Sequence, residues 1–329
     1  VTTSSGSSSR RSAQLDARRN PGKPLETAWI AETTAHEIEV QARVDRLRRR
    51  PPPTADEEIR LCLRAISCTD LTTLASDDTS DRVLQLCERA KAPLDPDLLS
   101  AIGRRIDSPD LSHPSVVRTA AVCVYHRFIG DALCALEGTG IPVATVSAGF
   151  PHGLSPLPQR IDEVRASVAA GAAEIDVVIM RAHVLSGEWE ALFEEVTAFR
   201  DACGDALMKT ILATGELHTP ENVARASLVC MMAGTDFLKT STGKEQVNAT
   251  LPAGLVMADA IRDYQDRTGH PVGLKPAGGI RTAHQALDWL RLAGSELGPE
   301  WMEPGLFRFG ASSLLADLET RLESLIAHH

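Results

Sequence analysis

After Pro53 the chain alternates between short apolar runs and longer stretches in which apolar residues recur every three or four positions. The runs lie at 65–70, 120–125, 142–149, 174–180, 207–214, 236–241, 272–278 and 306–312. Each has the length and β-branched character of a buried strand. Between them lie stretches such as PQRIDEVRASVAAG and PENVARASLVCMMAG, the second with Pro in its first turn and Gly at its end, the punctuation of a helix. Eight strands alternating with helices over about 270 residues is the size and rhythm of a closed (β/α)8 TIM barrel. An open doubly wound sheet would announce itself by a Gly-rich first turn, and no G-x-G-x-x-G follows the first run.

Upstream of the barrel the pattern changes. Trp29, Thr33, Val40, Val44 and Leu47 recur at helical spacing, and the segment ends in RRRPPP, which predicts one amphipathic helix over 27–50. Its apolar stripe is expected to pack on the barrel, with a homo-oligomer contact as the alternative. The first 24 residues are rich in Ser, Arg and Gly with little to bury, so they are expected to be disordered. The expected division is therefore a basic tail at 1–24, a helix and Pro-rich linker at 25–56, and the barrel at 57–329.

Charge and cysteine usage narrow the function. The net charge is −10, and because residues 1–50 carry +4 (ten Lys/Arg, six Asp/Glu) the remainder carries −14. An acidic main body argues against general nucleic-acid binding. The seven cysteines show no C-x-x-C spacing, which favours reduced core thiols over a disulfide framework or a zinc site. HEIEV at His36 opens like a zinc-protease helix, but Val40 stands where a second histidine is needed, so no metal is expected. No run approaches the roughly 18 apolar residues of a membrane span and no secretory apolar core stands near residue 1, so a cytoplasmic location is expected.

Five predicted strands carry charged residues that a purely structural strand avoids: Asp70, Asp176, Lys209, Lys239 and Lys275. In a barrel these converge on one mouth. A free lysine is only about one part in 2,500 neutral amine at pH 7. A second ammonium ~5 Å away, in an effective dielectric of ~20, adds about 3 kcal/mol of repulsion, roughly two pKa units, and burial acts in the same direction. Lys239 beside Lys275 would thus become a nucleophile suited to Schiff-base chemistry. The structural alternative is an ion pair of Lys239 with an acid such as Asp236. Three turns, STGK (241–244), PAGGIR (276–281) and GASSL (310–314), follow late strands and could present N–H groups to a phosphate. His126, His152 and His183 are read as structural or solvated rather than as proton carriers.

The wording of the motifs adds to their spacing. DLTTL from Asp70, AVCVY from Ala121, EIDVVI from Glu174, KTILATGEL from Lys209, DFLKTSTGK from Asp236, VNAT from Val247, LKPAGGIRT from Leu274 and FRFGASSLL from Phe307 occur in order. Together they resemble the deoxyribose-phosphate aldolase family, closest to its animal-type branch. That resemblance implies a class I, metal-free and cofactor-free enzyme of deoxyribose catabolism. It would reversibly cleave 2-deoxy-D-ribose 5-phosphate to D-glyceraldehyde 3-phosphate and acetaldehyde. It implies Lys239 as the Schiff-base lysine, Lys275 as the neighbour that lowers its pKa, and Asp176 as the proton donor and acceptor. Asp70, Thr72, Cys123 and Lys209 would line the sugar pocket. Gly243, Lys244, Gly278, Gly279, Arg281, Ser312 and Ser313 would hold the phosphate. The chain departs from the family at His126, where proline is usual, and in SAGFPHG (147–153), both beside the expected mouth. The rival readings are an aldolase for another phosphosugar, a barrel isomerase with a carboxylate base, and a phosphosugar-binding regulator.

Overall fold

The structure, a computed structural model, describes residues 19–112 and 116–327. From the N-terminus, α1 (Thr27–Glu32), α2 (Glu37–Arg48) and α3 (Ala55–Ser67) lead into β1 (Thr69–Thr72). Two helices, α4 (Ser80–Lys91) and α5 (Pro96–Arg105), precede β2 (Ala121–Tyr125), and α6 (Ile129–Ala135) precedes β3 (Val143–Ser147). Next come α7 (Leu157–Ala169), β4 (Glu174–Val178), α8 (Arg181–Leu185), α9 (Trp189–Cys203) and β5 (Leu207–Ile211). The chain continues through α10 (Pro220–Met232), β6 (Phe237–Lys239), α11 (Leu251–Thr268) and β7 (Gly273–Lys275). It ends with α12 (Ala283–Glu296), β8 (Phe309–Ala311) and α13 (Leu314–Ala327).

The eight strands pair in parallel, each with its sequence neighbour, and β1 pairs with β8. Parallel bridges Leu274↔Phe307 and Ala277↔Gly310 join β7 to β8 and close the barrel. The TIM barrel predicted from the alternation is thus the observed fold. Threonine supplies many of the helix starts: Thr79, Thr219, Thr250 and Thr282 each accept a hydrogen bond from an N–H of the first turn. Outward-facing Val122, Val124, Ile175, Val177 and Met208 join the main core between sheet and helices. The alternate residues face inward, and on β2 and β3 these are Ala121, Cys123, Ala144 and Val146, a separate apolar cluster. The remaining strands fill the interior with charge.

Three expectations are corrected. The first run was read as a strand over 65–70, but Ala65–Ser67 form the last turn of α3 and the strand begins at Thr69. A capping box between Thr54 and Glu57 starts that helix, and Ile59, Cys62, Ala65 and Ile66 bury at helical spacing; a short apolar run alone does not separate the two readings. The helix also begins at Ala55, ahead of the expected boundary after residue 56. The single helix over 27–50 is two. Arg225 donates to the carbonyl of Thr33, and Trp29 stacks on Tyr264 with its Nε1 donating to Asp263, so the chain turns before α2 can lie along α11.

The third correction concerns the tail. Residues 1–18 lie outside the described residues, whereas Asn20–Pro24 are packed on the barrel rather than disordered. The Asn20 amide donates to the carbonyls of Met231 (2.7 Å) and Thr235 (3.0 Å), its Oδ1 accepts from Tyr264 (3.0 Å), and its backbone N–H reaches Asp236.

Candidate active site

Seven charged side chains stack inside the barrel, none more than 8% exposed. At the floor, Arg308 donates to Asp70 Oδ1 (2.5 Å) and to Glu174 Oε1 (2.9 Å). Lys209 bonds Glu174 and lies 3.1 Å from Asp70 and 3.2 Å from Asp176. Lys275 reaches Asp70 Oδ2 at 2.5 Å and Asp176 Oδ2 at 2.7 Å. Lys239 reaches only Asp176, at that same Oδ2, also at 2.7 Å. Parallel register produces the arrangement: Asp176 pairs with Lys209 across β4–β5, and Lys239 with Lys275 across β6–β7. Gly310 makes room for it, because a Cβ there would meet that of Ala277 at 2.7 Å and crowd Cε of Lys275.

These surroundings separate the three lysines electrostatically. Burial disfavours every ammonium here. For Lys209 the carboxylates of Asp176, Asp70 and Glu174 outweigh it, and for Lys275 those of Asp176 and Asp70 do, so both are held above the ordinary lysine pKa. Lys239 is pushed below it, by burial first and by Lys275 in addition, against the opposing pull of Asp176. The repulsion read from the sequence is therefore present, with burial as the larger cause. Burial would raise the carboxyl of Asp176, but Lys209, Lys239 and Lys275 outweigh it and hold it well below the usual carboxylate range. Asp176 is thus ionised in the resting site and is first a proton acceptor. Burial raises the Cys123 thiol, which stays neutral.

Above Lys239 opens a cleft of about 320 Å³ at the C-terminal ends of the strands. Its walls bring together Gly243, Lys244, Gly278, Gly279, Arg281, Ser312 and Ser313 with Thr72 and Lys239. The hydroxyls of Ser312 and Ser313 are exposed at the start of α13 and have no partner among the described residues. The STGK turn differs from expectation. Its N–H groups at Thr242 and Gly243 already donate to the carboxylate of Glu245, at 3.0 and 3.1 Å. Lys244 Nζ donates to the carbonyl of Leu74 at 2.8 Å, across the cleft. Asp70 and Lys209, expected in the sugar pocket, are fully buried beneath Lys275 and do not line the cleft; Cys123, expected there too, is fully buried among Ala121, Ala144 and Val146 and does not line it either.

Other candidates lie elsewhere. Asp236, the alternative partner for Lys239, bonds Arg200 at 2.8 Å and two backbone N–H groups at the opposite end of the strands. His126 faces Ser167, His183 faces Glu188 and His152 is exposed, so none of the three belongs to the buried charged stack. Cys134 is exposed and the other six cysteines are buried. Among the described residues no helix is long and apolar enough to cross a membrane, and no group of three His, Cys, Asp or Glu is placed to hold a metal ion. A larger hollow of about 740 Å³ lies at the strand N-terminal ends, lined mostly by Ala, Gly, Leu and Pro. Sequence reasoning missed Glu174 and Arg308. The usable signal was an arginine alternating with Phe307 and Phe309, in phase with the inward-facing Gly310.

Comparison with known proteins adds three findings. A family model described as DeoC/LacD family aldolase matches residues 64–320. The chain is 50% identical over 310 residues to the deoxyribose-phosphate aldolase of Mus musculus and 48% identical over 312 residues to that of Homo sapiens, with 94% of each chain covered in both cases. The deoxyribose phosphate aldolase of Aeropyrum pernix, whose solved structure is described as a unique tetrameric structure, superposes with a TM-score of 0.58. The match covers 83% of this chain and 100% of that one at 21% identity, a likeness of fold.

Proposed function

The chain belongs to the DeoC/LacD aldolase family, and from that premise we propose that it cleaves 2-deoxy-D-ribose 5-phosphate reversibly through an imine on Lys239. The products are D-glyceraldehyde 3-phosphate and acetaldehyde. One observation carries the reading: of three buried lysines, the one whose ammonium is disfavoured is also the one that opens on the cleft.

The neutral amine of Lys239 attacks C1 of the open-chain sugar, and loss of water leaves an iminium at that carbon. Its positive charge accepts the electron pair of the C2–C3 bond as the C3 hydroxyl loses its proton. Glyceraldehyde 3-phosphate departs and a two-carbon enamine stays on the lysine. Protonation at C2 and hydrolysis then release acetaldehyde. Asp176, ionised and 2.7 Å from Lys239, is placed to take a proton first and return it later, directly or through water, a role worth typically 10²–10⁴-fold. Lys275 keeps its charge throughout and disfavours a second ammonium beside it. Thr72 borders the reacting carbons, while Ser312, Ser313, Gly278, Gly279, Arg281 and Lys244 hold the phosphate, with Gly243 supporting the turn.

The reaction type is tested by incubating the protein with deoxyribose 5-phosphate and detecting acetaldehyde through an alcohol dehydrogenase and NADH. The expected result is one acetaldehyde per sugar consumed. Formation of an isomeric sugar phosphate without acetaldehyde would establish the isomerase instead, and no consumption would leave a binding protein.

A further inference from the structure

The charged stack alternates in sign from floor to mouth. Arg308 lies lowest, Asp70 and Glu174 above it, then Lys209 and Lys275, then Asp176, and Lys239 at the top. Four cations face three carboxylates, so with every group ionised the stack carries one positive charge in excess. That excess can leave at one place. Arginine does not titrate in this range. Lys209 touches three carboxylates and Lys275 two, whereas Lys239 touches one. Cys123, the titratable group facing the stack from β2, is held neutral by burial.

We propose that Arg308 and Glu174 are positioning residues that set, through this alternating stack, the pH at which Lys239 becomes a nucleophile. The proposal rests on the reading of Lys239 as the imine-forming lysine. Neither residue reaches the cleft; both instead line the hollow at the opposite end of the barrel. Their influence is one of charge balance. Without the carboxylate of Glu174 the stack holds two excess positive charges, and Lys239 sheds its proton at lower pH. Without the guanidinium of Arg308 the stack is neutral only while Lys239 stays protonated, so release moves to higher pH. Removing both restores the single excess charge.

The test is the rate of reductive trapping of acetaldehyde on Lys239 by cyanoborohydride, followed against pH. Glu174→Gln is expected to move the acid limb down by roughly one pH unit and Arg308→Met to move it up by a similar amount, the size produced by one charge roughly 10 Å away at an effective dielectric near 20. The double variant should return to the wild-type position, and Arg308→Lys, which keeps the charge, should not leave it. Should Arg308→Met fail to fold, Glu174→Gln and Arg308→Lys still decide the matter, since the first is expected to move the limb down and the second to leave it in place. Shifts in the same direction, or none, in variants of a wild type that traps normally would overturn the proposal and leave the Lys239 reading standing. A wild type that traps nothing on Lys239 would overturn both.

Discussion

A buried ammonium keeps its proton in proportion to the carboxylates that surround it, and at the scale of single residues the site uses that rule three times. Lys209 has three such partners, Lys275 two and Lys239 one. Lys239 is held below the ordinary lysine pKa, by burial first, and the other two above it by their carboxylates. Lys239 and Lys275 at strand ends and Asp176 within β4 were legible as charges on buried strands, because a strand buried on both faces has no other reason to carry them. Arg308 and Glu174 were not, since each falls at a strand start, where a charge ordinarily meets solvent. The proposed phosphate end was legible only as turns rich in Gly and Ser; that Glu245 occupies the STGK amides depends on a side-chain rotamer. The serines at the start of α13 are therefore the sharper test. A carboxylate in Ser313→Glu faces the substrate dianion and loses a charge-assisted bond, so kcat/KM for deoxyribose 5-phosphate should fall at least ~100-fold, through KM. Cleavage of unphosphorylated deoxyribose should stay near wild type. Equal loss for both substrates would show that the serine is structural.

At the scale of elements, the alternation of short runs and amphipathic stretches located β2 to β8 and the first residues of β1, because a barrel strand reads as a continuous apolar run and the helices after β1, β3, β5, β6 and β7 begin with Thr or Pro. The errors fell where the deciding partner is far away in sequence. Asn20 sits in RRNPGKP, which reads as solvated tail, yet its partners are Met231, Thr235 and Tyr264. Its burial at 4% exposure predicts a measurable role. Asn20→Ala leaves two carbonyls and a phenol without their partner, and is expected to lower stability by about 2–4 kcal/mol, read by thermal or urea denaturation. An unchanged midpoint would mean that the 19–24 strap lies on the barrel without holding it. The break between α1 and α2 has the same origin, since Arg225, which takes the Thr33 carbonyl, lies on α10.

At the scale of the whole molecule, the barrel interior is divided. Ala121, Cys123, Ala144 and Val146 make an apolar wall on one side, and the charged stack fills the other, beneath a cleft rimmed by turns rich in Gly and Ser. The fold was readable because it depends on the order of elements. The division was not, because it depends on which alternate residues of eight strands meet across the interior. The central claim is that Lys239, and no other lysine, is the nucleophile. It is tested most directly by treating the protein with acetaldehyde and borohydride and mapping the adduct by peptide mass spectrometry. The account predicts a single addition of about 28 Da on Lys239, the reduced imine of a two-carbon aldehyde. An adduct on Lys275 or Lys209, or only on surface lysines, would contradict it.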